Sequence, residues 1–276
     1  MNNLKNLILD MDGVLWRGET PMPGLATFFA TLQDARIKYV LATNNATKIA
    51  PQYSEKLQRF GVNIPSSAIL TSAEATAAYL ADQLPPGAAA YVVGEAGLRQ
   101  ALEAQGFNVL PESADGHFAE PHLDADVVVV SFTRHACYRH LATAVHLINH
   151  GALFVGTNPD VTFPHEFGPM PGAGAYLAFI EAATNQQPTI VGKPGRAIFD
   201  EALSRLGAAR EETAMVGDRL ETDIAGAQAA GLKTIMLLSG VTNRQKLESS
   251  DVKPDFVYDN IEDLTSNLLR SDGHIR

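Results

Sequence analysis

Residues 5–13, KNLILDMDG, decide the fold. Leu7, Ile8 and Leu9 make a short apolar run that ends in Asp10, with Asp12 and Gly13 directly behind it. So short and continuous a run predicts a strand buried on both faces, as found inside parallel sheets. An open α/β sheet carries its chemistry at the carboxyl ends of its strands. Two carboxylates there suit a metal-assisted site in which one attacks and the other handles a proton, and glycine lets the backbone approach a ligand. These residues alone leave open a plainer alternative, a strand-to-turn junction made by Asp12-Gly13.

Working outward, strand and helix alternate. The turn-rich VLWRGETPMPG precedes a helix over about residues 25–35, and a second buried strand, YVLAT, ends at Thr43-Asn44-Asn45. A helix from about residue 50 to 60 stops at Gly61. SAEATAAYLADQL reads as a helix with Ser72 as N-cap, broken by Pro85-Pro86-Gly87. The rhythm then restarts, with AYVVG, FNVL, DVVVVSF and GALFVGT as strands and EAGLRQALEAQ, YRHLATAVHLINH and AYLAFIEAATN as helices. A third block opens with strand TIVG and Lys193-Pro194 and runs through helix RAIFDEALSRL to strand TAMVG and Asp218. Helix TDIAGAQAA and strands KTIMLL and FVYD complete the first sheet. The expected fold class is α/β. A Rossmann-like, doubly wound parallel sheet forms the core (residues 1–80 and 189–276), and a smaller α/β cap domain is inserted at residues 81–188.

Composition narrows the function. An apolar content of 46% with 19% charged residues describes a globular chain with a sizeable core. The net charge of −10 speaks against nucleic acid or an anionic membrane as partner. An anionic substrate would then need local positive charge from a metal or a placed lysine. Cys137 is the single cysteine, which excludes a disulfide framework and a thiolate cluster. No apolar stretch approaches the roughly 18 residues of a spanning helix, and the N-terminus shows no signal-peptide pattern. A soluble, cytoplasmic setting is expected.

Four expected strand ends carry polar groups of complementary kinds: Asp10 and Asp12; Thr43, Asn44 and Asn45; Lys193 within GKP; and Asp218 within GDRLETD, with Asp223 five residues on. The order DxDGV, TNN, GKP, GDxxxTD resembles the haloacid dehalogenase-like superfamily of aspartyl phosphotransferases. The branch most similar holds the 4-nitrophenyl, phosphoglycolate and pyridoxal phosphate phosphatases. The resemblance covers essentially the whole chain.

The resemblance implies Mg²⁺-dependent hydrolysis of phosphate monoesters through an aspartyl phosphate. It makes Asp10 the nucleophile and Asp12 the acid/base, and assigns Thr43, Asn44, Asn45 and Lys193 to the phosphate. Its metal ligands are the Asp10 carboxylate, the Asp12 main-chain carbonyl and the Asp218 carboxylate. Electrostatics points the same way. Two like unit charges at 4 Å repel by roughly 4 kcal/mol at an effective dielectric near 20, so an anionic nucleophile needs a cation beside an anionic ester. Asp223 has two readings, a group behind the metal site orienting Lys193 or a metal water, or a helix cap with Thr222. About 30 residues separate Asp12 from Thr43, too few for a lid, whereas about 150 separate Asn44 from Lys193. The cap therefore follows the second motif, as in the branch named.

Within the cap, TNPDVTFPHEFGPMPGAGA reads as the selectivity loop, with Asn158, Asp160, Phe163 and His165 as candidates, or else as an ordinary helix lead-in. The pyridoxal phosphate phosphatases carry histidine at the position of Phe163, a departure that counts against that substrate here. His146 and His150 stand four apart on a helix but lack a carboxylate or cysteine to complete a zinc site. Trp16 reads as a packing residue of the flap. The expected partner is a small phosphorylated metabolite, with a homodimer through the cap as in related proteins. The alternatives are a dehalogenase or a phosphotransferase/phosphomutase of the superfamily, or, from another class, a phosphometabolite-binding regulatory protein.

Overall fold

The structure is a computed structural model that describes residues 4–111, 123–163 and 167–270. In chain order, β1 (Asn6–Leu9) leads into a hairpin of β2 (Trp16–Arg17) and β3 (Thr20–Pro21), followed by α1 (Leu25–Asp34), β4 (Lys38–Thr43), α2 (Ala50–Arg59), β5 (Ile69–Thr71) and α3 (Ser72–Ala81). Next come β6 (Ala89–Val93), α4 (Ala96–Ala104), β7 (Asn108–Val109), β8 (Val127–Val130), α5 (Tyr138–Asn149), β9 (Leu153–Gly156), β10 (Thr162–Phe163), β11 (Met170–Pro171) and α6 (Ala173–Thr184). The chain ends with β12 (Thr189–Ile190), α7 (Arg196–Leu206), β13 (Thr213–Gly217), α8 (Ala225–Ala229), β14 (Lys233–Leu237), α9 (Arg244–Ser249), β15 (Phe256–Tyr258) and α10 (Ile261–Arg270). Two compact units result, Met1–Thr43 with Ala50–Leu70 and Ile198–Arg276, and Asn44–Ile49 with Thr71–Ala197.

A six-stranded sheet ordered β15-β14-β13-β1-β4-β5 forms the first unit's centre. Every residue of β1 and of β13 is buried, as expected for central strands with helices on both faces. β1 pairs in parallel with β13 and with β4, placing Leu9 opposite both Val216 and Leu41. The chain first builds β4 and β5 on one side of β1 and later β13, β14 and β15 on the other. The winding thus reverses at β1, and the crevice at its carboxyl end is the place where such sheets bind ligands. Asp10 is the first residue there.

The second unit holds a five-stranded sheet ordered β12-β9-β8-β6-β7, parallel throughout its pairings. β12 corrects an expectation. The strand before Lys193 was expected in the first sheet, yet Thr189 and Ile190 pair with Val155 and Gly156 of β9. A two-residue ladder leaves no pattern in sequence from which its partner can be read. Helix α3 packs on α4 and belongs to this unit. Its cap lies one residue earlier than expected. Thr71 Oγ1 accepts from the Glu74 amide at 3.2 Å and the Thr71 amide donates to Glu74 Oε2 at 3.1 Å, a reciprocal capping box.

At the edge of the first sheet, Asp255 ties the entry of β15 to that of β14. Its Oδ1 meets Lys233 Nζ at 2.7 Å, and its Oδ2 accepts from the Thr234 amide and hydroxyl, both at 2.9 Å. Burial disfavours the charged form, but these Lys233 and Thr234 bonds outweigh it and hold the carboxyl below its ordinary range. A depressed folded-state pKa contributes stability above the unfolded value, and that contribution is lost as pH falls through the folded one. Asp255→Asn is therefore expected to cost about 0.5–1 kcal/mol at neutral pH, discounted for solvent screening. Urea unfolding midpoints of variant and parent should converge as the pH drops below about 4.

Candidate active site

The register that opposes Leu9 to Val216 brings the residues just beyond both strands together. Asp10, Asp218 and Asp223 are all buried, and each offers a carboxylate oxygen within 4.8 Å of the others. Backbone amides fix two of them. Asp218 Oδ2 accepts from the Val241 amide at 2.6 Å, and the Asp218 carbonyl accepts from the Thr242 amide at 3.1 Å. Asp223 Oδ2 accepts from the amides of Asp218 and Arg219 at 3.2 and 3.0 Å, so its turn folds back onto the end of β13. Two glycines let the chain close around Asp218. A Cβ on Gly13, which also has φ +90°, or on Gly240 would collide with its carboxylate.

Three carboxylates so close repel one another whenever they are charged together. Desolvation adds to the cost. A hard divalent cation relieves both, and Mg²⁺ favours a few carboxylates completed by water or phosphate oxygen. The donor set fits that ion. Among the described residues this is the one cluster of such ligands. The histidine pair makes none; His146 and His150 lie ring to ring at 4.1 Å, with His150 Nδ1 against the His146 carbonyl.

Asp12 lies outside the cluster and is exposed. Its Oδ1 accepts from Trp16 Nε1 at 2.8 Å. Trp16 is fully buried, stacks on Tyr53 with ring centroids 6.4 Å apart, and carries Lys56 Nζ 4.6 Å from its ring centre. Burial pushes the Tyr53 hydroxyl far above the usual tyrosine range; the charge of Asp12, and less strongly that of Asp10, pushes the same way, against a hydrogen bond with Thr43. Tyr53 thus stays a neutral phenol beside Thr43, the buried last residue of β4.

The second unit assembles a polar group from its own residues. Asn44 Nδ2 donates to the Lys193 carbonyl at 2.8 Å and to Asp160 Oδ2 at 3.3 Å. The Asn44 carbonyl accepts from Ser72 Oγ at 2.7 Å and Asn158 Nδ2 at 2.9 Å, while Asn158 Oδ1 accepts from the Asp160 amide at 3.1 Å. Lys193 is buried, behind Gly192, whose amide reaches the Thr157 carbonyl at 3.0 Å. Asn45 Oδ1 turns back on Thr47, accepting from its amide and hydroxyl at 2.9 and 2.7 Å. Phe163 packs edge-on against Phe132 at 4.7 Å. His165 lies outside the described residues.

Sequence reasoning missed Tyr53, Ser72 and the loop 239–242. Tyr53 sits where the amphipathic pattern of α2 asks only for an apolar residue, and SGVT reads as an ordinary turn. No helix among the described residues is long and apolar enough to cross a membrane.

Residues 7–108 match the profile of the haloacid dehalogenase-like hydrolases, and residues 190–264 match a second, HAD-hydrolase-like profile. The chain is 34% identical over 268 residues to an acid sugar phosphatase of Staphylococcus saprophyticus, covering 97% of this chain and 99% of that protein. Among solved structures it is similar to a 4-nitrophenylphosphatase of Thermotoga maritima, with TM-score 0.87, 33% identity and coverage of 95% and 97% of the two chains. It is also similar to a glycerol phosphate phosphatase of Mycobacterium tuberculosis solved with magnesium, with TM-score 0.85, 32% identity and coverage of 96% and 78%.

Proposed function

We propose, from the premise that the chain belongs to the haloacid dehalogenase-like hydrolases, a phosphatase that hydrolyses small phosphate monoesters through an aspartyl-phosphate intermediate, with Mg²⁺ as cofactor. The observation that carries this is the buried cluster of Asp10, Asp218 and Asp223 at the point where the sheet reverses its winding.

A carboxylate oxygen of Asp10 attacks phosphorus and forms the acyl-phosphate bond as the ester P–O bond breaks. Asp12 donates its proton to the departing alkoxide or phenoxide. Its carboxylate then takes a proton from water, whose oxygen attacks the phosphorus and frees both phosphate and Asp10. Asp10 and Asp218, with the main-chain carbonyl of Asp12, are the groups that would hold Mg²⁺. When bound, that ion supplies the positive charge that lets an anionic carboxylate meet an anionic ester. Asp223 braces the Asp218 turn through the two amides it accepts from. Thr43, Asn44, Asn45 and Lys193 are assigned to the phosphoryl oxygens, where hydroxyl, amide and ammonium donors stabilise developing charge.

Those groups read only the phosphoryl end of a substrate, so selectivity is assigned to the second unit, as a cap, through Asn158, Asp160, Phe163 and His165. The sugar, glycerol and 4-nitrophenyl phosphatases among its relatives support a small monoester, with sugar and polyol phosphates first in line. The same reading includes a homodimer formed through the second unit and a cytoplasmic setting.

Phosphate release from a panel of phosphorylated metabolites, with Mg²⁺ and with EDTA, tests this reading. Hydrolysis of sugar or polyol phosphates is expected with Mg²⁺, vanishing in EDTA and returning when Mg²⁺ is restored. Undiminished hydrolysis in EDTA would remove the metal from the mechanism. Tight binding without release would favour a binding protein.

A further inference from the structure

Trp16 does more than fill space. Its indole N–H donates to Asp12 Oδ1 at 2.8 Å, and the Gly13 amide donates to the Trp16 carbonyl at 2.8 Å. The five residues from Asp12 to Trp16 are therefore closed into a small ring by one side-chain and one backbone bond. The indole is itself clamped, with Tyr53 stacked at an interplanar angle of 15° and Phe60 tilted at 6.1 Å. The buried Lys56 ammonium lies near the ring and is anchored to the Gly18 carbonyl at 2.6 Å. A cation against an indole face and stacked aromatics each resist ring rotation. An exposed aspartate with no such partner would sample several rotamers; this one has a fixed partner on one oxygen.

We propose that Trp16 is a positioning residue for Asp12. By occupying Oδ1, the indole N–H leaves Oδ2 as the oxygen that carries the proton to the leaving group. Lys56, Tyr53 and Phe60 keep the indole in place. This rests on the acid/base role proposed above for Asp12, and it concerns the carboxylate's orientation alone.

The test uses leaving groups of different need. A glycerol alkoxide leaves poorly without a proton, whereas 4-nitrophenoxide leaves well unaided. For both substrates kcat/KM reports the steps through the first phosphoryl transfer. Replacing Trp16 with 3-benzothienylalanine keeps the bicyclic shape and puts sulfur where the N–H was; Trp16→Phe is the encoded counterpart. Either change is expected to lower kcat/KM for glycerol 3-phosphate about tenfold or more, and that for 4-nitrophenyl phosphate less than about threefold, because general acid catalysis is worth 10²–10⁴ only where the leaving group requires it. Asp12→Asn, run alongside, separates the two levels. If it splits the substrates and the Trp16 changes do not, the positioning role is overturned while Asp12 keeps its own. If Asp12→Asn lowers both equally, Asp12 is not the acid and the role of Trp16 falls with it. An equal loss on both substrates from the Trp16 changes marks a structural residue and also overturns the proposal.

Discussion

Asp10→Asn is expected to lower turnover on every substrate by about 10⁴ or more, the scale seen when an enzyme loses its nucleophile. The amide matches the carboxylate in shape but is a far poorer nucleophile and cannot bear the phosphoryl group as an acyl phosphate. The fold should withstand the change. Asp10 shares its site with two buried carboxylates, and neutralising one of three like charges relieves repulsion. The metal-free variant should therefore unfold in a single cooperative transition like the parent, with the fold intact. Thermal melts with and without Mg²⁺ should also show the metal stabilising the variant less, by mass action through a weaker site. Retention of substantial activity by this variant would place the nucleophile elsewhere.

Gly240→Ala is the second large effect, and it acts at a residue that takes no part in the chemistry. The added methyl would overlap the Asp218 carboxylate, whose Oδ2 is held by the amide of the very next residue, Val241. Loop and carboxylate cannot both stay where they are. Overpacking of this kind costs about 1–3 kcal/mol, and a displacement near 1 Å at a catalytic group costs about 100-fold in rate. We expect a roughly 100-fold fall in kcat/KM together with a higher Mg²⁺ requirement. Gly61→Ala is the matched control. Gly61 has φ +81° with nothing within 4 Å of an added Cβ, so it should lose about 1–2 kcal/mol of stability and no Mg²⁺ affinity. A Gly240→Ala enzyme with the parent's Mg²⁺ titration would show that the loop moves aside freely.

Much of this was legible in the residues because burial leaves a mark on composition. The runs NLIL, YVLAT and TAMVG announce central parallel strands, and a charged residue at the end of such a run has few roles other than chemistry. The pairing of Asp10 with Asp218 follows once both strands are known. The placement of β12 did not follow, because Thr189 and Ile190 suit either sheet and only the pairing with β9 decides. Asp223 was ambiguous for a physical reason: its side chain accepts from the Asp218 and Arg219 amides and also faces the other two carboxylates, so the capping and site readings describe one residue from two sides. Trp16 was legible as a packing residue but not as a donor, since packing rests on the ring and donation on where a single N–H points. Asn158 and Asp160, expected to face a substrate, also bond within the second unit, to Asn44, to Thr157 and to each other.

The six-stranded sheet also sets the order in which a nascent chain can fold. β1 leaves the ribosome some 200 residues ahead of its neighbour β13, whose Val216 it sets opposite Leu9. Until β13 follows, one edge of a strand that is fully buried in the finished sheet has no partner to cover it. The second unit, continuous apart from Asn44–Ile49, has its last sheet strand, ending at Ile190, in hand before β13 starts at Thr213. Synthesis therefore passes through an interval in which the later-inserted sheet can close while the central one stays open, a high-contact-order wait that invites chaperone capture or edge-to-edge association.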